Sequence, residues 1–243
     1  MGYHALYQSW KDDPEAFWLE AARAIDWQQF PTAALNSDNA PLYEWYTDGV
    51  VNTCYNALDR HVENGRGDQV AVIYDSPITG RQSKTTYSEM LDQVARLAGA
   101  MQSKGITLGD RVIIYMPMIT EALVAMLACA RIGAIHSVVF GGFAANELAV
   151  RINDATPKAI LAASCGLEPG RTVAYKPLID GAIELADHKP ETVILFQREE
   201  CIADMIEGRD FDWHDVQQGV EPAPCVPVRA NHPAYILYTS GTT

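Results

Sequence analysis

Between residues 69 and 196 short apolar runs alternate with stretches of helical period, and few folds accept that order. Residues 69–74 (QVAVIY) read as a strand, Ser76-Pro77-Ile78-Thr79-Gly80 as a turn and 82–86 as the returning strand of a hairpin. Thr86-Tyr87-Ser88-Glu89 has the form of a capping box. The helix it opens lines up Met90, Leu91, Val94, Leu97, Ala98 and Met101 on one face and stops at Gly105. Strands follow at 111–115, 134–140, 158–163 and 192–196, with helices at 121–132, 145–154 and 175–186 between them. Helices inserted between short buried strands predict an α/β fold of mostly parallel sheets covered by helices. Ligands in such folds bind at loops beyond the carboxyl ends of the strands. Three loops qualify: Phe140-Gly141-Gly142-Phe143, residues 164–171, and Thr239-Ser240-Gly241-Thr242-Thr243.

The flanks differ in character. Asp13-Pro14-Glu15 reads as N-cap, first helical position and first-turn acid, and Phe17, Ala21 and Ile25 continue one apolar stripe. A second helix is expected over 53–63, with Gly65 as its stop. Residues 199–230 are polar and proline-rich and read as a connector, and 235–238 as a last strand. We therefore expect an N-terminal helical extension over 1–64 and, over 65–243, the first part of a larger domain. An apolar strand entering a glycine loop at the very end of the sequence suggests a piece of a longer chain.

Charge narrows the function. Lys and Arg number 18 against 31 Asp and Glu, a formal balance of −13. That excludes the broad basic surface on which nonspecific nucleic-acid binding depends and disfavours anionic lipid, so neither nucleic acid nor membrane is expected as a partner. An anionic nucleotide can still be held by backbone N–H groups and a single arginine. There is no basic n-region at the N-terminus, and residues 122–140 contain Arg131 and His136 and so do not form a membrane span. Five widely spaced cysteines without a C-x-x-C fit reduced thiols and a cytoplasmic location. No His or Cys spacing suits a metal, and no G-x-S-x-G elbow is present.

The final loop packs hydroxyls and N–H groups densely enough to cradle phosphate oxygens, though by itself it fits a plain Ser/Thr/Gly turn better. Gly141-Gly142 permits close approach of a ligand, or merely turns the chain from strand to helix. Arg171, in Gly166-Leu167-Glu168-Pro169-Gly170-Arg171, is a phosphate grip or an ordinary surface arginine.

Several stretches together resemble one family. Asp13-Pro14-Glu15-Ala16-Phe17-Trp18 with Ile25-Asp26-Trp27 is similar to the start of short-chain acyl-CoA synthetases. Residues 111–118 (RVIIYMPM) and 128–143 (ACARIGAIHSVVFGGF) resemble the same family, and Tyr238 to Thr243 resembles the opening of its ATP phosphate loop. The chain is thus similar to AMP-forming, adenylate-forming ligases of the acetyl- and propionyl-CoA synthetase branch. That resemblance implies ATP, Mg²⁺ and CoA as cofactors and a short-chain carboxylate as the substrate. It implies ATP contacts at Thr239, Ser240, Gly241, Thr242 and Thr243, and CoA contacts at Phe140, Gly141, Gly142, Glu168, Pro169, Gly170 and Arg171. No catalytic residue of the family matches a position in this chain, so neither half-reaction is expected of the chain alone. Glu168 stands where acetyl-CoA synthetases carry a first arginine; this, with Thr242, resembles propionyl-CoA synthetases more. Propionate–CoA ligase is the expectation, with acetate–CoA ligase as the alternative and a non-catalytic α/β nucleotide-binding or interaction module as the reading from another class.

Overall fold

A computed structural model describes residues 2–239. Two helices come first, α1 (Tyr3–Asp12) and α2 (Pro14–Ala22). Asp13 caps α2 as expected, its carboxylate accepting from the Ala16 N–H at 2.9 Å. No residue of α1, which the sequence reading left unassigned, is buried, so it carries no buried stripe to betray it. Three two-residue strands follow: β1 (Leu35–Asn36), β2 (Glu44–Trp45) and β3 (Val50–Val51). The helix expected over 53–63 is present in a widened form, with π-helical turns at Tyr55–Asp59 and Val62–Arg66.

The hairpin forms from β4 (Val70–Ser76) and β5 (Arg81–Thr86). The capping box is complete on α3 (Tyr87–Ser103): Thr86 accepts from the Glu89 N–H while Glu89 accepts from the Thr86 N–H. Beyond it the alternation runs β6 (Arg111–Met116), α4 (Thr120–Ile132), β7 (Ile135–Phe140), α5 (Ala145–Ala155), β8 (Ala159–Ala163), β9 (Cys165–Glu168), β10 (Arg171–Ala174), α6 (Lys176–Leu185) and β11 (Thr192–Phe196).

Five strands make one parallel sheet in the order β12-β11-β8-β6-β7, where β12 is Asp210–Asp212. β6 and β8 lie inside the sheet, and β8 is buried along its whole length. The chain passes from β6 to β7 in one direction and then crosses back to β8 on the other side of β6. Right-handed crossovers therefore put α4 and α5 on opposite faces. α3 packs on α4 and α6 on α5, which covers both faces.

The structure corrects three expectations. Residues 199–230 are more than a connector, because β12 extends the sheet and β13 (Val228–Arg229) pairs antiparallel with β3. β12 carries two aspartates, Asp210 and Asp212, so its pattern does not look like a buried strand. The stretch 164–171 is not an open loop: β9 and β10 form a hairpin around Pro169-Gly170, with Gly170 at φ 79°, a conformation that favours glycine. The last strand does not form over 235–238. That segment meets the edge of β7 through one bridge, Tyr235 beside His136, in which the Ile236 N–H donates to His136 O at 2.9 Å and the His136 N–H to Ala234 O at 3.3 Å.

Candidate functional site

The strand order reverses between β6 and β8, and a crevice beyond the carboxyl ends of the strands belongs at such a point. There the structure has a cleft of 230 Å³ lined by Tyr74, Pro117, Met118, Ile119, Leu167 and Arg198. A neighbouring cleft of 350 Å³ shares Tyr74, Ile119 and Arg198 and adds Glu121, whose carboxyl burial pushes above the usual carboxylate range. Arg198 is buried; its backbone N–H donates to Ser164 Oγ at 2.8 Å and its guanidinium to Cys165 O at 3.1 Å. These bonds tie the end of β11 to the start of the β9–β10 hairpin.

The glycine turn after β7 is held by a tyrosine from the neighbouring strand. Tyr115 is fully buried; its hydroxyl accepts from the Gly142 N–H at 2.9 Å and donates to Phe143 O at 2.8 Å. Removing the ring would leave both backbone groups without those partners. Burial raises the Tyr115 hydroxyl above its ordinary range, so it stays protonated and able to donate.

Tyr175 joins this turn to the hairpin. Its ring meets the Tyr115 ring edge-on, with centroids 5.1 Å apart. A β-carbon on Gly141 would lie 2.5 Å from Tyr175 Cε2, and one on Gly166 would lie 2.0 Å from the Tyr175 hydroxyl. Gly141 is therefore glycine because a protein ring fills the space its side chain would need. Burial, with Tyr115 close by, pushes the Tyr175 hydroxyl up to about 12.

Arg151 joins the same turn to the segment before the predicted phosphate loop. Buried on α5, it lies 5.0 Å from the Phe143 ring centroid and 5.2 Å from that of Tyr238. Glu147 orients it through its carbonyl at 2.7 Å and its carboxylate at 3.2 Å. The Tyr238 hydroxyl donates to Asp154, one helical turn further along α5. Thr239 follows directly and is exposed; Ser240, Gly241, Thr242 and Thr243 lie outside the described residues.

Two of the predicted loops and the segment leading into the third are thus linked through contacts running from Tyr238 by Arg151 to Phe143, and from Gly141 by Tyr175 to Gly166. At the outer end of the hairpin Glu168 and Arg171 are exposed and pair with each other, at 2.7 Å from Nε and 2.6 Å from Nη2. Phe140 is 66% exposed at the end of β7. Sequence reasoning missed Tyr115, Arg151, Tyr175 and Arg198. The patterns placed Tyr115 and Arg151 on the right elements, read Tyr175 as the first residue of the helix it in fact caps and left Arg198 between elements, and nothing in them shows which distant loop each one touches.

Comparison with known proteins agrees with this architecture. The model of the acetyl-coenzyme A synthetase N-terminus matches residues 3–57, and that of the AMP-binding enzymes matches 58–243. An uncharacterized protein of Pseudomonas aeruginosa is 55% identical over 95% of this chain and 37% of its own length. The human acyl-CoA synthetase short-chain family member 3, mitochondrial, is 50% identical over 95% of this chain and 34% of its own. The acetyl-coenzyme A synthetase of Streptomyces avermitilis is 44% identical over 98% and 36%. Among solved structures, the acetoacetyl-CoA synthetase of Streptomyces lividans shares the fold with a TM-score of 0.87 at 24% identity, over all of this chain and 37% of that one. The chain spans about a third of the length of these relatives. With the AMP-binding model running from 58 to 243, the chain belongs to the family of AMP-binding enzymes.

Proposed function

We propose that this chain forms the first part of an AMP-forming short-chain acyl-CoA synthetase, with propionate as the preferred acid. In the reaction of that branch, a carboxylate oxygen attacks the α-phosphate of Mg·ATP and pyrophosphate leaves; the CoA thiol then attacks the acyl carbonyl and AMP leaves. The observation that carries the reading is the linkage, through Arg151 and Tyr175, of the glycine turn to the hairpin and to Tyr238. It gathers the segment leading into the phosphate loop, the glycine turn and the Glu168–Arg171 hairpin at the carboxyl end of one parallel sheet, where a nucleotide and CoA would have to meet.

In this proposal, hydroxyl and N–H groups from Thr239 to Thr243 receive the ATP phosphates, whose charge grows as the α-phosphate is attacked. Mg²⁺ enters with ATP as part of the substrate. Phe140, Gly141, Gly142 and the hairpin residues Glu168, Pro169, Gly170 and Arg171 border the CoA path. Arg171 supplies the cation for a CoA phosphate, and to do so it must loosen its bond to Glu168.

Glu168 and Thr242, which resemble propionyl-CoA synthetases, support propionate, and the name of the short-chain family member 3 relative supports a short-chain acid. The names of the acetyl-coenzyme A synthetases among the relatives support acetate as the second reading. The test is pyrophosphate–ATP exchange by the full-length protein with propionate, acetate and butyrate in parallel. Exchange with none of them rejects the synthetase reading, and faster exchange with acetate rejects propionate.

A further inference from the structure

Cys54 and Cys225 are far apart in the sequence, and neither belongs to a recognisable cysteine motif. The β3–β13 ladder brings them together. Its register pairs Val51 with Val228 and Val50 with Arg229; Cys54 follows Val51 by three residues, in the first turn of the next helix, and Cys225 precedes Val228 by three. Asn52, wholly buried, locks this approach by donating from Nδ2 to Val226 O at 2.8 Å. The two sulfurs and an Asp59 carboxylate oxygen lie within 4.8 Å of one another. Cys54 is fully buried and Cys225 partly so.

Three acidic or thiol ligands at this distance suggest a metal, but the cation position is already taken. The Arg131 guanidinium holds both Asp59 oxygens, at 2.9 and 3.0 Å, touches Cys54 Sγ at 3.6 Å and donates to Ala223 O at 2.6 Å. A metal would have to displace a buried arginine from four partners. What remains is a pair of adjacent thiols beside a fixed positive charge, the setting in which a thiol becomes a reactive thiolate.

We propose that Cys54 and Cys225 form a reversible dithiol–disulfide pair, closed by hydrogen peroxide. The Cys225 thiol, which itself donates to Asp59 Oδ2 at 3.6 Å, and then Arg131 hold the neighbouring Cys54 thiol below its ordinary range against the effect of burial. The Cys54 thiolate attacks one peroxide oxygen; the O–O bond breaks and hydroxide leaves, giving a sulfenic acid. Cys225 then attacks the Cys54 sulfur, the S–O bond breaks and a second hydroxide leaves. The protons of the two thiols turn both hydroxides into water. One peroxide is reduced, two thiols are oxidised and a single S–S bond results. The bond ties the start of the Tyr55–Asp59 turn to the segment that leads into β13.

The test treats the purified protein with a small excess of hydrogen peroxide, counts free thiols and maps peptides without reductant. Trypsin, cutting after Arg23, Arg60, Arg209 and Arg229, leaves the two cysteines on separate peptides. The expected result is a loss of two thiols per chain, a Cys54–Cys225 linked peptide, and full recovery with dithiothreitol. Cys129, wholly buried and pushed up to about 12 by that burial, stays reduced as the internal reference. In Cys225→Ser the linked peptide vanishes and dimedone traps a sulfenic acid at Cys54. A Cys165–Cys201 link in its place, loss of thiols only to sulfinic acid, or no thiol loss overturns the proposal. So does stoichiometric binding of zinc that shields both thiols from peroxide, since the site would then be a metal site.

Discussion

The ring of Tyr175 occupies the space that a side chain at Gly141 would need. A β-carbon there would stand 2.5 Å from Cε2, and one on Gly166 would meet the same ring from the other loop. Two glycines on separate segments thus form the socket of one tyrosine. Because the ring is buried and packed against Tyr115, it has no room to retreat.

Gly141→Ala should cost about 1–3 kcal/mol, the usual range for forcing an extra carbon into a packed site. In a Tyr175→Ala background the same change should be nearly neutral, leaving a coupling of about 1 kcal/mol or more in a urea-denaturation cycle. Additive costs would mean that something other than the tyrosine ring excludes the methyl group.

Arg151 should resist replacement by lysine. A flat guanidinium can lie against two rings at once, whereas an ammonium is a point charge. We expect Arg151→Lys to lose about 1 kcal/mol and to speed hydrogen exchange at the Ile236 amide, which bonds to His136 O. Unchanged protection at Ile236 would show that Tyr238 is anchored by Asp154 alone.

A buried charge network predicts a defined acid response. Asp210, its side chain fully buried, meets Lys176 at 2.9 Å and Arg209 at 2.6 Å. Burial alone would raise its carboxyl, but Arg209, the Ile206 N–H and Lys176 together hold it below the usual range. Its stabilising contribution is therefore complete above the unfolded value of about 3.9 and drains away as pH falls through the lower folded value. Asp210→Asn should destabilise the protein at pH 7 by about 3 kcal/mol and flatten this part of the stability curve below about pH 4. An unchanged acid slope would place the titration elsewhere.

The Glu168–Arg171 pair bears on the proposed CoA contact. Arg171→Ala in the full-length enzyme should raise KM for CoA about ten- to a hundred-fold, the equivalent of one charge-assisted bond of roughly 1.5–3 kcal/mol. Pyrophosphate exchange should stay near its original rate. Glu168→Gln, which frees the arginine, should lower the same KM. Equal damage to both half-reactions would make Arg171 a structural residue of the hairpin.

Substrate preference has a natural ceiling. One methylene in an apolar pocket discriminates by about 1–3 kcal/mol, so kcat/KM for propionate should exceed that for acetate by roughly ten- to two-hundred-fold at most. Steady-state kinetics on the two acids measures the ratio directly.

The alternation from residue 69 to 196 determined the α/β class and most of the strands and helices, because period and capping are local properties. The capping box at Thr86–Glu89 and the Asp13 cap both form as read. Tertiary structure decided the rest. β12 becomes a strand because β11 offers it an edge and because Lys176 and Arg209 neutralise Asp210, which no local pattern announces. Residues 165–174 fold back as a hairpin around a turn that the sequence left open. Gly141-Gly142 was visible as a special pair, yet the sequence offered only a ligand or a simple turn as its reason. Tyr175 is the packing reason for Gly141, and a ring arriving from beyond β10 can be located only when the chain is folded. The same holds for Cys54 and Cys225, whose proximity depends on the register of β3 against β13 rather than on their spacing.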